Sequence, residues 1–180
     1  MLRSESKNIA LQPFVEILDK ECYNTIEELC QIAKKQAAKL NELEVRHSTS
    51  QYVSLCSKLI EEIANYIQFR KEQFIPYVQK LNEKDSNGHD CTNCSGPCNI
   101  QHEGLLMELK DSHLHIKDTL YRLQMAVLPL YSETIYPDVY RVLRNQMALL
   151  ENNLTELFFF EENYLVPKVE EAQKNIHARS

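Results

Sequence analysis

LFFFEENYLVPKV, residues 157–169, runs from an apolar stretch into two glutamates and then reaches a Val-Pro step. A similar segment, YIQFRKEQFIPYV, occupies residues 66–78, which lie 91 positions earlier. At this separation the two segments share a phenylalanine, a proline and a valine, namely Phe69/Phe160, Pro76/Pro167 and Val78/Val169. Because there are only two copies, the repeat predicts two related helical hairpins rather than a solenoid.

Apolar residues recur at alternating spacings of three and four in four long segments of the chain. This spacing places them on one face of a helix that packs against other helices. The predicted helices cover residues 13–43, 50–81, 100–130 and 136–175. A capping box from Thr25 to Glu28 would instead divide the first helix into two pieces. Four such helices predict an all-α, up-and-down four-helix bundle that forms a single domain over residues 1–180.

The composition agrees with a helical protein and excludes several functional classes. The chain has only 3 Gly and 6 Pro in 180 residues, which is typical of helical domains. A net charge of −6, without a dense Lys/Arg stripe, argues against nucleic-acid binding. No apolar run approaches the ~18 residues of a membrane span, and the first residues, MLRSESKNIA, lack the apolar stretch of a secretory signal. We therefore expect a cytoplasmic protein that binds neither nucleic acid nor membranes, and we leave a homodimer or a protein partner open.

The connection between the second and third helices, residues 83–102, carries chemistry of its own. Its metal-binding residue types are a C-x2-C-x3-C-x3-H run and one preceding histidine: Cys91, Cys94, Cys98, His102 and His89. Thiolates and imidazoles at this spacing suit tetrahedral zinc, and iron–sulfur clusters also take thiolate ligands. In the cytoplasm the 6 cysteines indicate thiols or metal ligands rather than disulfides. We expect a loop that binds zinc or an iron–sulfur cluster, with reversible thiol chemistry and an inert loop as the alternatives.

A carboxylate interrupts the apolar face of the fourth predicted helix. Glu161 falls in register with Leu150, Leu154 and Leu157, on the face that is predicted to be buried. A buried carboxylate needs a hydrogen-bonded partner of opposite charge or a metal ion. The aligned position in the second helix holds Arg70. If the two side chains face each other across the bundle, the guanidinium neutralises the carboxylate.

The segments EENYLVPKV and RKEQFIPYV resemble the H-x-x-x-E-E…L-F-P segments of hemerythrin-like (HHE) domains. The layout from His113 through Pro137 to Glu161 is most similar to the bacterial iron–sulfur cluster repair di-iron proteins, and the resemblance covers residues 11–171. It implies a four-helix bundle with a di-iron centre. One helix of each hairpin is then expected to supply a histidine and, four residues later, a bridging carboxylate, while the other helix supplies a further histidine.

Most of the ligands that this resemblance implies are replaced. His113 and Glu161 occupy ligand positions, but Leu157 and Tyr66 stand where histidines are expected, and Arg70 stands where a carboxylate is expected. Two donors are too few for a di-iron centre. We therefore expect no di-iron centre, a structural Arg70–Glu161 pair in its place, and a hydrogen-bonded core histidine at position 113.

The ligand position of the first helix falls near residues 21–23, and the apolar spacing places Cys22 on the buried face. Neighbouring His115 lies off the buried face and is expected to be exposed.

Three functions stay open at this level. The first is a hemerythrin-like metal-binding or redox- and stress-responsive protein with a degenerate di-iron pocket and an active Cys/His loop. The second is a working di-iron protein for iron–sulfur cluster repair or for a nitric oxide or oxygen response. Its ligands would come from an unconventional set: Glu21, Cys22, Tyr66, His102, His113, Glu161 and Glu162. The third is a metal-free structural or partner-binding bundle. No nucleophile–base pair or Gly-rich phosphate loop is evident, so the sequence leans against an enzyme.

Overall fold

Four long helices account for nearly all of the described structure. The computed structural model describes residues 7–43, 47–88, 98–130 and 138–178. Within these ranges the chain forms helices α1 (residues 11–43), α2 (residues 47–86), α3 (residues 98–130) and α4 (residues 138–178), and no strand. The predicted all-helical class and the four helices are confirmed. No helix in these ranges is both long enough and apolar enough to cross a bilayer.

The four helices pack side by side. Helix α2 packs against α1 and α3, and α1 also packs against α4. The rings of Tyr52 and Tyr140 are 5.4 Å apart near the starts of α2 and α4. Near the ends of the same two helices, Gln173 Nε2 donates to the Tyr77 hydroxyl at 2.6 Å. Helices α2 and α4 therefore run in the same direction.

Three of the helices contain a short π-helical segment. These segments are Leu18–Tyr23 in α1, Arg70–Phe74 in α2 and Glu161–Leu165 in α4. In α2 and α4 a proline follows closely, Pro76 and Pro167 respectively. A proline has no N–H and its ring crowds the carbonyl four residues earlier, and that carbonyl lies inside the π segment in both helices. The wider turn accommodates the proline, and each helix continues past it.

The predicted internal repeat is visible in the helix boundaries. Two 23-residue α-helical segments, His47–Phe69 and Asp138–Phe160, each lead into a 5-residue π segment. Corresponding positions in these two helices are 91 residues apart, as Arg70 and Glu161 show. The two hairpins are therefore related by approximate two-fold symmetry.

The proposed division of the first helix is wrong. Thr25 does not cap a new helix, because its hydroxyl donates to the backbone carbonyl of Glu21 at 2.7 Å inside a continuous helix. A threonine in a helix interior commonly bonds the carbonyl one turn earlier in this way.

Candidate functional site

The carboxylate of Glu161 lies at the centre of the bundle and is fully buried. Its Oε1 accepts hydrogen bonds from the Tyr23 hydroxyl and from Arg70 Nη2, both at 2.6 Å. Its Oε2 accepts a short hydrogen bond from the Tyr66 hydroxyl and lies 2.7 Å from His113 Nε2. A carboxylate offers about four lone-pair positions, so protein donors fill all the positions of this one.

Every helix of the bundle contributes to this site. Tyr23 closes the π segment of α1, Arg70 opens that of α2, and Glu161 opens that of α4. Tyr66 and His113 come from regular turns of α2 and α3. Three π segments thus meet at one level, and each places a polar side chain in the core. Such segments are frequent at functional sites.

The π segments also explain where the predicted buried faces are wrong. Sequence spacing placed Cys22 on the buried face, and the same spacing of three or four residues, continued from Arg70 and Glu161, leads to Gln73 and Tyr164. The structure instead buries the next residue in all three helices: Tyr23, Phe74 and Leu165. A π turn contains one extra residue, so it shifts the buried face by one position. Cys22 is only half-buried, and its neighbour Tyr23 reaches Glu161 in its place.

Opposing electrostatic effects act on Glu161. Burial alone would raise the pKa of this carboxyl, but the Arg70 charge and the hydrogen bonds from His113 and Tyr23 outweigh burial and lower the pKa to about 2. For the phenol of Tyr66, burial and then the nearby Glu161 charge raise the pKa well above its ordinary value. Burial likewise raises the pKa of Tyr23. The network therefore holds one ionised carboxylate between two neutral phenols and a cation.

Arg70 is the largest fully buried side chain of the described core. Besides Glu161, its Nε donates to the Tyr23 hydroxyl at 3.1 Å. Its guanidinium carbon lies 3.8 Å from the centre of the Phe74 ring, a cation–π arrangement. Its Nη1 is buried and has no hydrogen-bond partner within the described residues. The guanidinium therefore sits inside the core and is held by a carboxylate, a phenol and an aromatic face.

His113 connects the buried carboxylate to the protein surface. Its Nε2 faces Glu161, and its Nδ1 lies 3.0 Å from Oε1 of Glu162, which is 43% exposed. Lys117 Nζ donates to the same Glu162 oxygen at 2.7 Å. An ionised carboxylate only accepts hydrogen bonds, so the ring of His113 bridges the buried Glu161 and the half-exposed Glu162. The ring of Phe158 covers His113 at a centroid distance of 4.1 Å.

The two hairpins carry matching ion pairs with reversed charges. In the first hairpin Lys71 Nζ donates to Glu27 at 2.7 Å. In the second, the positions related by the repeat hold Glu162 and Lys117, also 2.7 Å apart. Arg70 and Glu161 are related in the same way and face each other at the centre. At each of these related positions the two hairpins therefore carry opposite charges.

Several residues singled out from the sequence meet at this site. Arg70 and Glu161 form the contact that their positions predicted, and His113 is a buried, hydrogen-bonded histidine. His115 is exposed, as predicted, and Glu21 is also exposed. The sequence pattern indicated Tyr66 as a lost or an unconventional metal ligand, and it did not indicate Tyr23 as a donor to Glu161. The repeat held a signal for Tyr23, since Tyr23 and Arg70 are separated by 47 residues and their counterparts in the second hairpin, His113 and Glu161, by 48.

The predicted metal loop falls largely outside the described residues. His89, Cys91 and Cys94 lie outside them, whereas Cys98 and His102 fall in the first turns of α3. Within the described residues no group of three or more His, Cys, Asp or Glu side chains is arranged to hold a metal ion.

Comparisons with known proteins add no relative to these observations. No protein-family model matches the chain, and no curated protein or solved structure matches it significantly.

Proposed function

We propose that this chain is a hemerythrin-like bundle in which a network of protein side chains has replaced a di-iron centre, and that its metal or redox chemistry belongs to the Cys/His segment, residues 83–102. One observation carries the first half of this proposal. All four acceptor positions of Glu161 are used by protein donors, and one of these donors is the guanidinium of Arg70.

The donors at the centre of the bundle do not suit iron. A di-iron site needs several oxygen and imidazole ligands around each ion, whereas here Glu161 and His113 already bond to each other. Arg70 also places a fixed positive charge 2.6 Å from the carboxylate that a cation would need. This geometry argues against the alternative of a working di-iron protein.

The raised thiol pKa values of the cysteines in the helices support placing the reactive thiols in the Cys/His segment. Burial, as the main cause, raises the pKa of Cys22, Cys30 and Cys56 to about 12 in each case. The thiolate is the form that reacts and binds metal, so burial disfavours the reactive form of these three thiols at neutral pH. Cys91, Cys94, Cys98 and His102 then supply the donors for zinc or an iron–sulfur cluster, and the same thiols are suited to sense oxidants.

Elemental analysis of protein purified without oxygen, together with its absorption spectrum, tests this function. We expect zinc, or iron with inorganic sulfide, bound in stoichiometric amount and without the near-ultraviolet bands of an oxo-bridged iron pair. The Cys91→Ser/Cys94→Ser variant should lose the metal, and the matched control Cys22→Ser should retain it.

Two results would contradict the proposal in different ways. If the Cys91→Ser/Cys94→Ser variant keeps its metal and His113→Gln loses it, the metal is bound in the core of the helical bundle. Metal-free protein whose thiol titration and stability are unchanged in the double variant would leave the remaining alternative, a structural or partner-binding bundle.

A further inference from the structure

A groove runs between α1 and α2, next to the first hairpin's Glu27–Lys71 pair, and encloses about 850 Å³. Its floor is formed by buried apolar side chains of both helices, Cys30, Ile60, Ile63 and Ile67. Small-molecule sites commonly have volumes of about 300–1,000 Å³ and mostly apolar walls. In size and lining, the α1–α2 groove therefore fits a small organic ligand.

The second hairpin has larger side chains at the positions that correspond to the groove floor. By the repeat, Ile67 corresponds to Phe158, and Cys30 corresponds to Leu120, since the Glu27–Lys71 pair aligns with Lys117–Glu162. Phe158 and Leu120 are both buried. The larger side chains occupy the second hairpin at the level where the first hairpin has a thiol and an isoleucine.

The charges on the rim favour one kind of ligand. Glu27 and Lys71 neutralise each other at 2.7 Å. Among the described residues, the remaining charged groups of the rim, Glu61, Glu72 and Lys34, form no ion pair. Two carboxylates against one amine leave the rim with an excess negative charge, in a chain whose net charge is −6.

We propose that the α1–α2 groove binds a small organic cation that has an apolar body and an ammonium group. The apolar body lies on Ile60, Ile63 and Ile67, and the ammonium group pairs with Glu61 or Glu72 at the rim. This site is separate from the Cys/His segment, so the inference does not depend on the metal chemistry proposed above.

Fluorescence titration with two matched probes tests the inference. Both probes carry a dansyl group on a short alkyl tether, which ends in an ammonium group in one and in a carboxylate in the other. The cationic probe should bind the wild-type chain at least about tenfold more tightly than the anionic probe, a difference of about 1.4 kcal/mol. Glu61→Gln/Glu72→Gln should remove that preference.

Two kinds of variant locate the binding. Cys30→Leu/Ile67→Phe introduces the larger side chains that the second hairpin has at these positions, and should weaken binding of the cationic probe at least about tenfold. Ala64→Leu reaches into the groove from an exposed helix position, so it should weaken binding even if the double variant folds poorly. The matched control is Ile32→Phe, which enlarges an exposed residue of α1 outside the groove and should leave binding unchanged.

Three results would overturn the inference. They are no binding of the cationic probe to the wild-type chain, equal binding of the two probes, and undiminished binding to a folded Ala64→Leu variant.

Discussion

Replacing Arg70 by methionine should strongly destabilise the fold, because it removes the guanidinium that neutralises the buried carboxylate of Glu161. Removing one partner of a buried ion pair costs about 3–5 kcal/mol. Both side chains of this pair are fully buried, so water cannot take over the lost interaction. The unpartnered Nη1 of Arg70 disappears as well, and removing an unsatisfied buried donor recovers about 1 kcal/mol. Methionine keeps much of the side-chain volume above Phe74, so no large cavity adds to the cost.

The expected loss is therefore about 3 kcal/mol. For a chain of this length, each 1 kcal/mol lowers the melting temperature by about 2–4 °C, so the midpoint should fall by about 6–12 °C. Urea unfolding followed by far-ultraviolet circular dichroism measures the free-energy change at pH 7.

A double-mutant cycle separates the ion pair from general packing effects. Glu161→Gln leaves the guanidinium without a counter-charge and should cost about as much as Arg70→Met. In the double variant the glutamine carbonyl still accepts from Tyr66 and His113, and no buried charge of this pair remains. The double variant should be at least about 2 kcal/mol more stable than the sum of the single effects predicts.

The exposed pair of Lys71 and Glu27 provides the matched control. Its side chains are 34% and 45% exposed, so the same kind of cycle should give a coupling below about 1 kcal/mol. Additive effects at Arg70 and Glu161, or a loss below about 1 kcal/mol in Arg70→Met, would refute the reasoning that this pair holds the core together.

Three further predictions follow from the same site. The carboxyl of Glu161 has a pKa of about 2 in the folded state, against an ordinary value of 4.5. Its ionised form therefore stabilises the fold above pH 4.5. This stabilisation is lost as the pH falls from 4.5 toward 2. Urea midpoints across this range should fall less steeply for Glu161→Gln than for the wild-type chain. Arg70→Glu should place a second carboxylate opposite Glu161. Mn²⁺ prefers carboxylate ligands to thiolates, so adding it should raise the melting temperature of this variant and not that of the wild-type chain. Phe158→Ala should cost about 3–5 kcal/mol in urea unfolding, because this buried ring covers His113; a loss below about 1 kcal/mol would mean that the ring is not part of the packed core.

The repeat gave the most detailed correct prediction of the fold. The 91-residue spacing showed that the helices starting at His47 and Asp138 correspond to each other. It also aligned their two prolines and the two charged residues at the centre. Apolar periodicity placed the helix ends within a few residues and identified Glu161 as a buried carboxylate. These features could be predicted because they depend on local spacing and on the cost of burying a charge.

The π segments and the full set of donors could not be predicted in this way. A π turn has no distinctive composition, and a regular period of three or four residues leads to Cys22 rather than to Tyr23. The choice between them depends on which side chain can reach Glu161 from another helix. That choice is made by packing between helices that are distant in sequence.

The sequence alone predicted four amphipathic helices in two related hairpins, and it aligned a buried acid on the second hairpin with a base on the first. Only the tertiary structure decided what surrounds that acid. Its oxygens accept bonds from Tyr23, Arg70, Tyr66 and His113, which come from three other helices. The physical reason is that helix formation is governed by neighbours along the chain, whereas the hydrogen bonds of a buried carboxylate are completed only when all four helices have packed around it.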